Sequence, residues 1–251
     1  MKSDLLSSIT PVALVTGGSK DIGAAVAIRL AEAGYDIAVT YHHDRDGAQE
    51  TVRRVQELGR RANAIAADLV QEVDCERTIR ETMQQFGRLD VLINNAGGSR
   101  KGDTWDGEPA VWHDVFMVNI ISVLQLSKLA IRHFREQGNG TIVNVSSRFG
   151  LAGDPVRIAY AASKAALINI TKSLAKELAP LGRCNCVAPG ATAAGYWKQV
   201  ADATDAEVEK IPLKTINTPD DVANTILFLA TDQSRTMTGQ TVVIDGGYLL
   251  R

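Results

Sequence analysis

The chain of 251 residues is long enough for one large α/β domain or two small ones. A hydrophobic fraction of 45%, a charged fraction of 22% and a formal net charge of −2, with no block of five or six like charges, leave no basic stripe. That pattern argues against a nucleic-acid or anionic-membrane partner and for a small molecule. Three cysteines cannot make a disulfide framework, and neither a signal-like stretch nor a run approaching a membrane span is evident, so a reducing cytoplasm is the expected setting.

Strand-like and helix-like segments alternate along the whole chain. Val12–Thr16 is a short apolar run, followed by an Ala-rich helical stretch from about Ile22 to Ala33 that Gly34 stops. Asp36–Tyr41 reads as the second strand, and a polar helix runs from about Asp44 to Leu58. Further strands are expected at Ala62–Ala67, Leu89–Asn94, Thr141–Ser146 and Cys184–Ala188, with helices around Glu72–Phe86, Ala110–Glu136 and Ala159–Leu178. Thr218 is expected to cap a helix that Pro219 opens, and Thr241–Ile244 is a last strand before Asp245-Gly246-Gly247. The strands read as continuous apolar runs, as burial on both faces requires. The alternation therefore predicts an α/β fold, one doubly wound parallel sheet with helices on both faces in a single domain spanning 1–251. Cys184 and Cys186 read as neighbours on one face of a buried strand, and no metal site is expected.

In such sheets ligands bind at the carboxyl ends of the strands. After the first strand comes Thr16-Gly17-Gly18-Ser19-Lys20-Asp21-Ile22-Gly23, a glycine turn into a helix start suited to a pyrophosphate, although the strict G-x-G-x-x-G spacing is absent. At the end of the second strand Tyr41 stands where a ribose-binding carboxylate would select NAD, with Lys20, His42, His43 and Arg45 nearby. That cluster favours NADP by charge, while Asp44 keeps NAD open. Tyr160 and Lys164, at i and i+4, share one helix face, and a neighbouring cation favours a phenolate. Ser146-Ser147 ends a buried strand with two hydroxyls, Asn94-Asn95-Ala96-Gly97 follows another, and Asn119 is a polar residue inside the apolar run Val115 to Leu126. Asn119 needs either a task or a structural partner such as a neighbouring carbonyl.

These pieces, in this order, resemble the short-chain dehydrogenase/reductase family in its single-domain Rossmann branch, near 3-oxoacyl-(acyl carrier protein) reductases. The likeness runs from about Val12 to Gly247 and includes Ala67-Asp68-Leu69, Ala188-Pro189-Gly190 and Asp245-Gly246-Gly247. It implies an oxidoreductase interconverting a carbonyl and a secondary alcohol by hydride transfer. Tyr160 is then the general acid or base, Ser147 the hydrogen-bond donor to the substrate oxygen, and Lys164 the holder of the nicotinamide ribose that also lowers the Tyr160 pKa. Asn119 is implied as the anchor of a water beyond Lys164. Cofactor contacts are implied at Gly17, Ser19, Lys20, Asp21, Ile22, Tyr41, His42, Asp68, Leu69, Asn95, Ala96, Gly97, Tyr160, Lys164, Pro189, Gly190 and Thr192, with Asn94 on the adenosine side. Two departures stand out: Asp21 replaces a usual glycine, so it must turn away from the pyrophosphate or cap its own helix, and Thr192 and Ala194 replace the usual pattern after Pro189-Gly190. The loop from about Ala193 to Pro212, with Tyr196, Trp197 and Val200, is expected to meet a partly apolar substrate. A homotetramer or dimer is implied, with the apolar tail Tyr248-Leu249-Leu250 against a neighbour or its own subunit. A dinucleotide-binding regulator without turnover, or a structural Rossmann module, is the alternative.

Overall fold

Residues alternate in direction along every strand, and two cores result. Ala13, Val15, Ile37, Val39, Val143 and Val187 face one of them, while Val12, Leu14, Ala38, Leu92 and Ile142 face the other. The computed structural model describes residues 10–195 and 206–250. Its strands are β1 Val12–Val15, β2 Asp36–Tyr41, β3 Ala62–Ala66, β4 Val91–Asn94, β5 Gly140–Val145, β6 Gly182–Pro189 and β7 Thr241–Ile244. They form one parallel seven-stranded sheet in the order β3-β2-β1-β4-β5-β6-β7.

Helices α1 (Asp21–Glu32), α2 (Arg45–Glu57) and α8 (Pro219–Ala230) cover the first core through Val26, Leu30, Val52, Val222 and Ile226. Helices α3 (Glu72–Phe86), α5 (Ser122–Gln137) and α7 (Ile158–Leu178) cover the second through Ile79, Phe86, Leu126, Phe134 and Leu178. Two short pieces lie on the same side, α4 (Pro109–Phe116) before α5 and α6 (Phe149–Ala152) before α7. The doubly wound architecture is therefore as expected. Thr218 caps α8 in a full capping box with Asp221, behind Pro219.

Three details differ from expectation. The edge strands β3 and β7 are only partly buried, because each has a neighbour on one side alone. The Ala110–Glu136 helix is interrupted: a π turn over Met117–Ile121 joins α4 to α5, with the Ser122 N–H donating to the Met117 carbonyl. Moreover, the continuous stretch Pro109–Gln137, of 29 residues with a mean hydropathy of 1.6 over its most apolar window, is long and apolar enough to cross a membrane, contrary to expectation. Half of that window is buried in the fold, because its apolar residues serve the sheet, α3 and α7 together.

Strand order reverses at β1, which has β2 on one side and β4 on the other, so a cleft opens at the carboxyl ends of β1 and β4. Buried Thr16 bridges this split: its Oγ donates to the Ile93 carbonyl (3.2 Å) and accepts from the N–H groups of Asn95 and Ala96 (both 2.9 Å). Thr16→Val keeps the shape but strands the part-buried Ala96 N–H and leaves Asn95 N–H only the Ile93 carbonyl, and is expected to lower unfolding free energy by about 2 kcal/mol in denaturant titration.

Candidate active site

The cleft at the switch point holds about 900 Å³. Ser147, Tyr160 and Lys164 line it with most of the residues expected to touch a dinucleotide, from Gly17 at one end to Thr192 at the other, but Asn94 does not. Neither does Asn119. It is fully buried, and its side chain grips the next loop, with Oδ1 accepting from Gly98 N (3.0 Å) and Nδ2 donating to Gly98 O and Val115 O (both 2.9 Å). The Val115 carbonyl is the acceptor that the main-chain N–H of residue 119 uses in a regular α-helix, which fits the local π turn. The side chain of Asn119 is thus a clamp on the loop, which is the structural partner that a polar residue in an apolar helix needs.

Asn94 is corrected: its amide donates to Asn144 Oδ1 (2.8 Å) and Ser127 Oγ (3.3 Å) inside the core, away from the cleft. Asn95 holds the glycine turn instead, donating to the carbonyls of Thr16 (2.9 Å) and Gly17 (3.1 Å). Within that turn a Cβ on Gly23 would lie 2.0 Å from the Gly17 carbonyl oxygen, so the turn and the first helical residues pack too tightly for any side chain there. The tight turn ahead of a helix start has the form that a pyrophosphate requires.

Asp21 adopts φ +49°, the left-handed region that favours glycine and that aspartate tolerates better than most residues. It does not cap its helix. The N-cap is Lys20, without a side-chain cap, and Asp21 Oδ2 accepts instead from Gly195 N (3.2 Å) across the cleft mouth. At the end of β2, Lys20, Tyr41 and His42 line the cleft, and His42 stacks on His43 with ring centroids 3.6 Å apart. Asp44 is the N-cap of α2, accepting from Gly47 N (3.1 Å), and neither it, His43 nor Arg45 lines the cleft. At the far end Thr192 Oγ1 donates to the Gly190 carbonyl (3.2 Å). Tyr196, Trp197 and Val200 lie outside the described residues.

The end of β5 fixes Lys164 twice: Ser146 Oγ donates to the Lys164 carbonyl (2.7 Å), and Lys164 Nζ donates to the Val145 carbonyl (2.8 Å). Nζ then lies 5.6 Å from the centre of the Tyr160 ring. Gly97 passes so close that a Cβ would sit 2.3 Å from Asn119 Oδ1 and 3.5 Å from Lys164 Nζ. Ser147 Oγ accepts from Phe149 N (3.2 Å), and Ser147 and Tyr160 line the same cleft. Burial pushes the Tyr160 phenol above its usual value, while the Ser147 hydroxyl and the charge of Arg157 oppose the rise. The lowering of the Tyr160 pKa by Lys164 that the resemblance implies is not among the influences on the phenol in the chain alone, where desolvation is the largest. Burial also holds the Lys164 amine down at about 8.

Several site residues carry no motif that marks them in the sequence. Arg148, directly after Ser147, is buried and pairs through Nη2 with Glu207, whose side chain is also buried. Its guanidinium lies 4.8 Å from the Phe149 ring centre and 3.9 Å from that of Tyr248, so Tyr248 in the tail packs on its own subunit. Asp103 reaches from the β4–α4 loop to the start of α7. A charged residue at the end of a buried strand was the available signal for Arg148, and a helix beginning at Ile158 without a side-chain cap of its own was the signal for Asp103. Elsewhere Cys184 and Cys186 are buried neighbours in β6 with thiol pKa values raised by burial. Among the described residues no group of three or more His, Cys, Asp or Glu is placed to hold a metal.

A buried lysine held at about 8 against its ordinary 10.5 binds fewer protons folded than unfolded between those values. Its contribution to stability accordingly rises with pH across that window. Unfolding free energies measured from pH 8 to 10.5 should show the parent chain gaining on a Lys164→Met variant by at most about 3 kcal/mol. A constant difference would contradict a desolvated amine.

Comparison with known proteins adds an independent line. The family model described as enoyl-(acyl carrier protein) reductase matches residues 17–249. A 3-oxoacyl-[acyl-carrier-protein] reductase of Staphylococcus epidermidis is 37% identical over 237 residues, 94% of this chain and 97% of that protein. Among solved structures, an acetoin dehydrogenase from Enterobacter cloacae superposes with a TM-score of 0.89 at 37% identity, covering 97% of each chain. A short-chain type dehydrogenase/reductase from Mycobacterium marinum superposes with a TM-score of 0.90 at 31% identity, covering 96% of each. Fold, cleft and relatives agree: the chain belongs to the short-chain dehydrogenase/reductase family of oxidoreductases that interconvert carbonyl and alcohol groups.

Proposed function

We propose that this chain is an NADPH-dependent reductase of a small, partly apolar ketone, with Tyr160 as the proton donor. The observation that carries the reading is that Ser147, Tyr160 and Lys164 line one cleft together with a glycine turn suited to a pyrophosphate. A bound nicotinamide dinucleotide supplies the hydride. Ser147 Oγ accepts from Phe149 N, which leaves its own hydrogen free for the substrate oxygen. Tyr160 gives its proton to the developing alkoxide, and burial favours that direction by keeping the phenol protonated at neutral pH. Lys164, fixed by β5, has hydrogens beyond the one given to Val145 to offer a ribose hydroxyl and to replenish the phenol.

Charge supports NADP over NAD: Lys20 and His42 line the adenosine end, and Asp44 is engaged in capping α2. The substrate reading draws on relatives named for acetoin, a hydroxyketone, and for 3-oxoacyl groups. A cytoplasmic homotetramer or dimer completes the proposal, supported by partly exposed Phe116 and Leu124 on α4 and α5, Ile158 on α7 and a well-exposed Leu250 at the tail. No observation favours a non-catalytic regulator.

The test is NADPH and NADH oxidation with a panel of small hydroxyketones, diketones and 3-oxoacyl thioesters. Tyr160→Phe should lower kcat by at least about 10²-fold while dinucleotide binding persists. A variant that kept full activity would remove Tyr160 from the mechanism. Asp21→Gly removes a carboxylate from the phosphate turn and relieves its left-handed backbone. It should tighten NADPH binding about fivefold, equivalent to about 1 kcal/mol, measured by fluorescence titration.

A further inference from the structure

Every α-helix begins with N–H groups that have no partner within the helix. In α7 the capping position is Arg157, whose side chain caps nothing. The missing acceptors come from one distant residue. Asp103 Oδ1 accepts from Ala159 N (2.8 Å), Oδ2 from Tyr160 N (3.0 Å), and the Asp103 carbonyl from Ile158 N (3.3 Å). Oδ2 also accepts from Ser99 Oγ (2.9 Å). Asp103 is 2% exposed, and among the described residues no lysine or arginine pairs with it, so its charge rests on the positive end of α7.

This arrangement bears unequally on the two site residues of α7. Tyr160 is the third residue of the helix and lies inside the turn that Asp103 holds. Lys164 lies one turn further on and is gripped independently by Ser146 and Val145. Asp103 also terminates the loop that Asn119 clamps at Gly98.

We infer that Asp103 is a positioning residue for the Tyr160 phenol: by capping the first turn of α7 from the β4–α4 loop it fixes the proton donor relative to Ser147 and Lys164. The inference rests on Tyr160 being the proton donor. Loss of the carboxylate frays the turn that bears the phenol, leaves the second turn in place, and does not touch the dinucleotide end of the cleft.

The test compares Asp103→Ala and Asp103→Asn, using the ketone that the parent enzyme reduces best. Asp103→Ala should lower kcat about 30-fold, as a small misplacement of a reacting group does, with KM for NADPH and ketone within about twofold. Asp103→Asn keeps one acceptor oxygen and should fall between, at about fivefold. Amide hydrogen exchange on the protein without dinucleotide should quicken at residues 158–160 in Asp103→Ala and stay slow around Lys164. An unchanged kcat in folded Asp103→Ala overturns the inference. So does a kcat that falls only in step with the thermal midpoint in both variants, or failure of both to fold, since Asp103 would then be a scaffold residue. A parent chain that reduces no ketone defeats the functional reading instead. The exchange measurement then decides for Asp103 alone: local loosening upholds its hold on the Tyr160 turn, and unaltered exchange overturns it.

Discussion

The Thr16 hydroxyl sits where two parallel strands part company. By donating to Ile93 and accepting from Asn95 and Ala96, it lets β1 and β4 diverge without leaving buried donors unpaired. Asn95 in turn ties down the glycine turn that leads into α1. A cleft cut between adjacent strands would otherwise expose or strand backbone polar groups, at a cost that a marginally stable chain cannot absorb many times. Both ends of the site follow from this junction, because the nucleotide turn leaves β1 and the Gly97 loop leaves β4.

On the other side of the cleft, the chemistry depends on desolvation controlled by neighbours. Burial drives a phenol and an amine in opposite directions on the pH scale, the one up and the other down, and both shifts favour the uncharged forms. With the amine held only as low as about 8, Lys164 stays mostly protonated at neutral pH, so the site is a neutral phenol near an ammonium and the Ser147 hydroxyl rather than a preformed phenolate ion pair. Such a set suits the delivery of a proton to an oxygen that acquires charge only during the reaction.

Local signals carried most of the architecture. Strand β2 and helix α3 begin and end where apolar runs and helical spacing place them, and the Thr218-Pro219 start of α8 is legible because capping chemistry is a matter of adjacent residues. The π turn at Asn119 was not legible, since it depends on a side chain competing for a carbonyl one turn back. Asn94 was misassigned, and the choice between two readings of Asn119 stayed open, for a related reason: an asparagine near a strand end or in an apolar helix shows that a partner exists, not on which side it lies. Asp103 and Glu207 join positions 56 and 59 residues away in the chain, and no periodicity encodes such pairings.

The Arg148–Glu207 pair has an evolutionary implication. Asp21 holds Gly195 and Arg148 holds Glu207, so these two points of the chain are tied to the segments that carry the nucleotide turn and Ser147. Replacing either member of this buried ion pair strands the other's charge, so Arg148, next door to Ser147, and Glu207 are bound to change together in descent rather than one at a time.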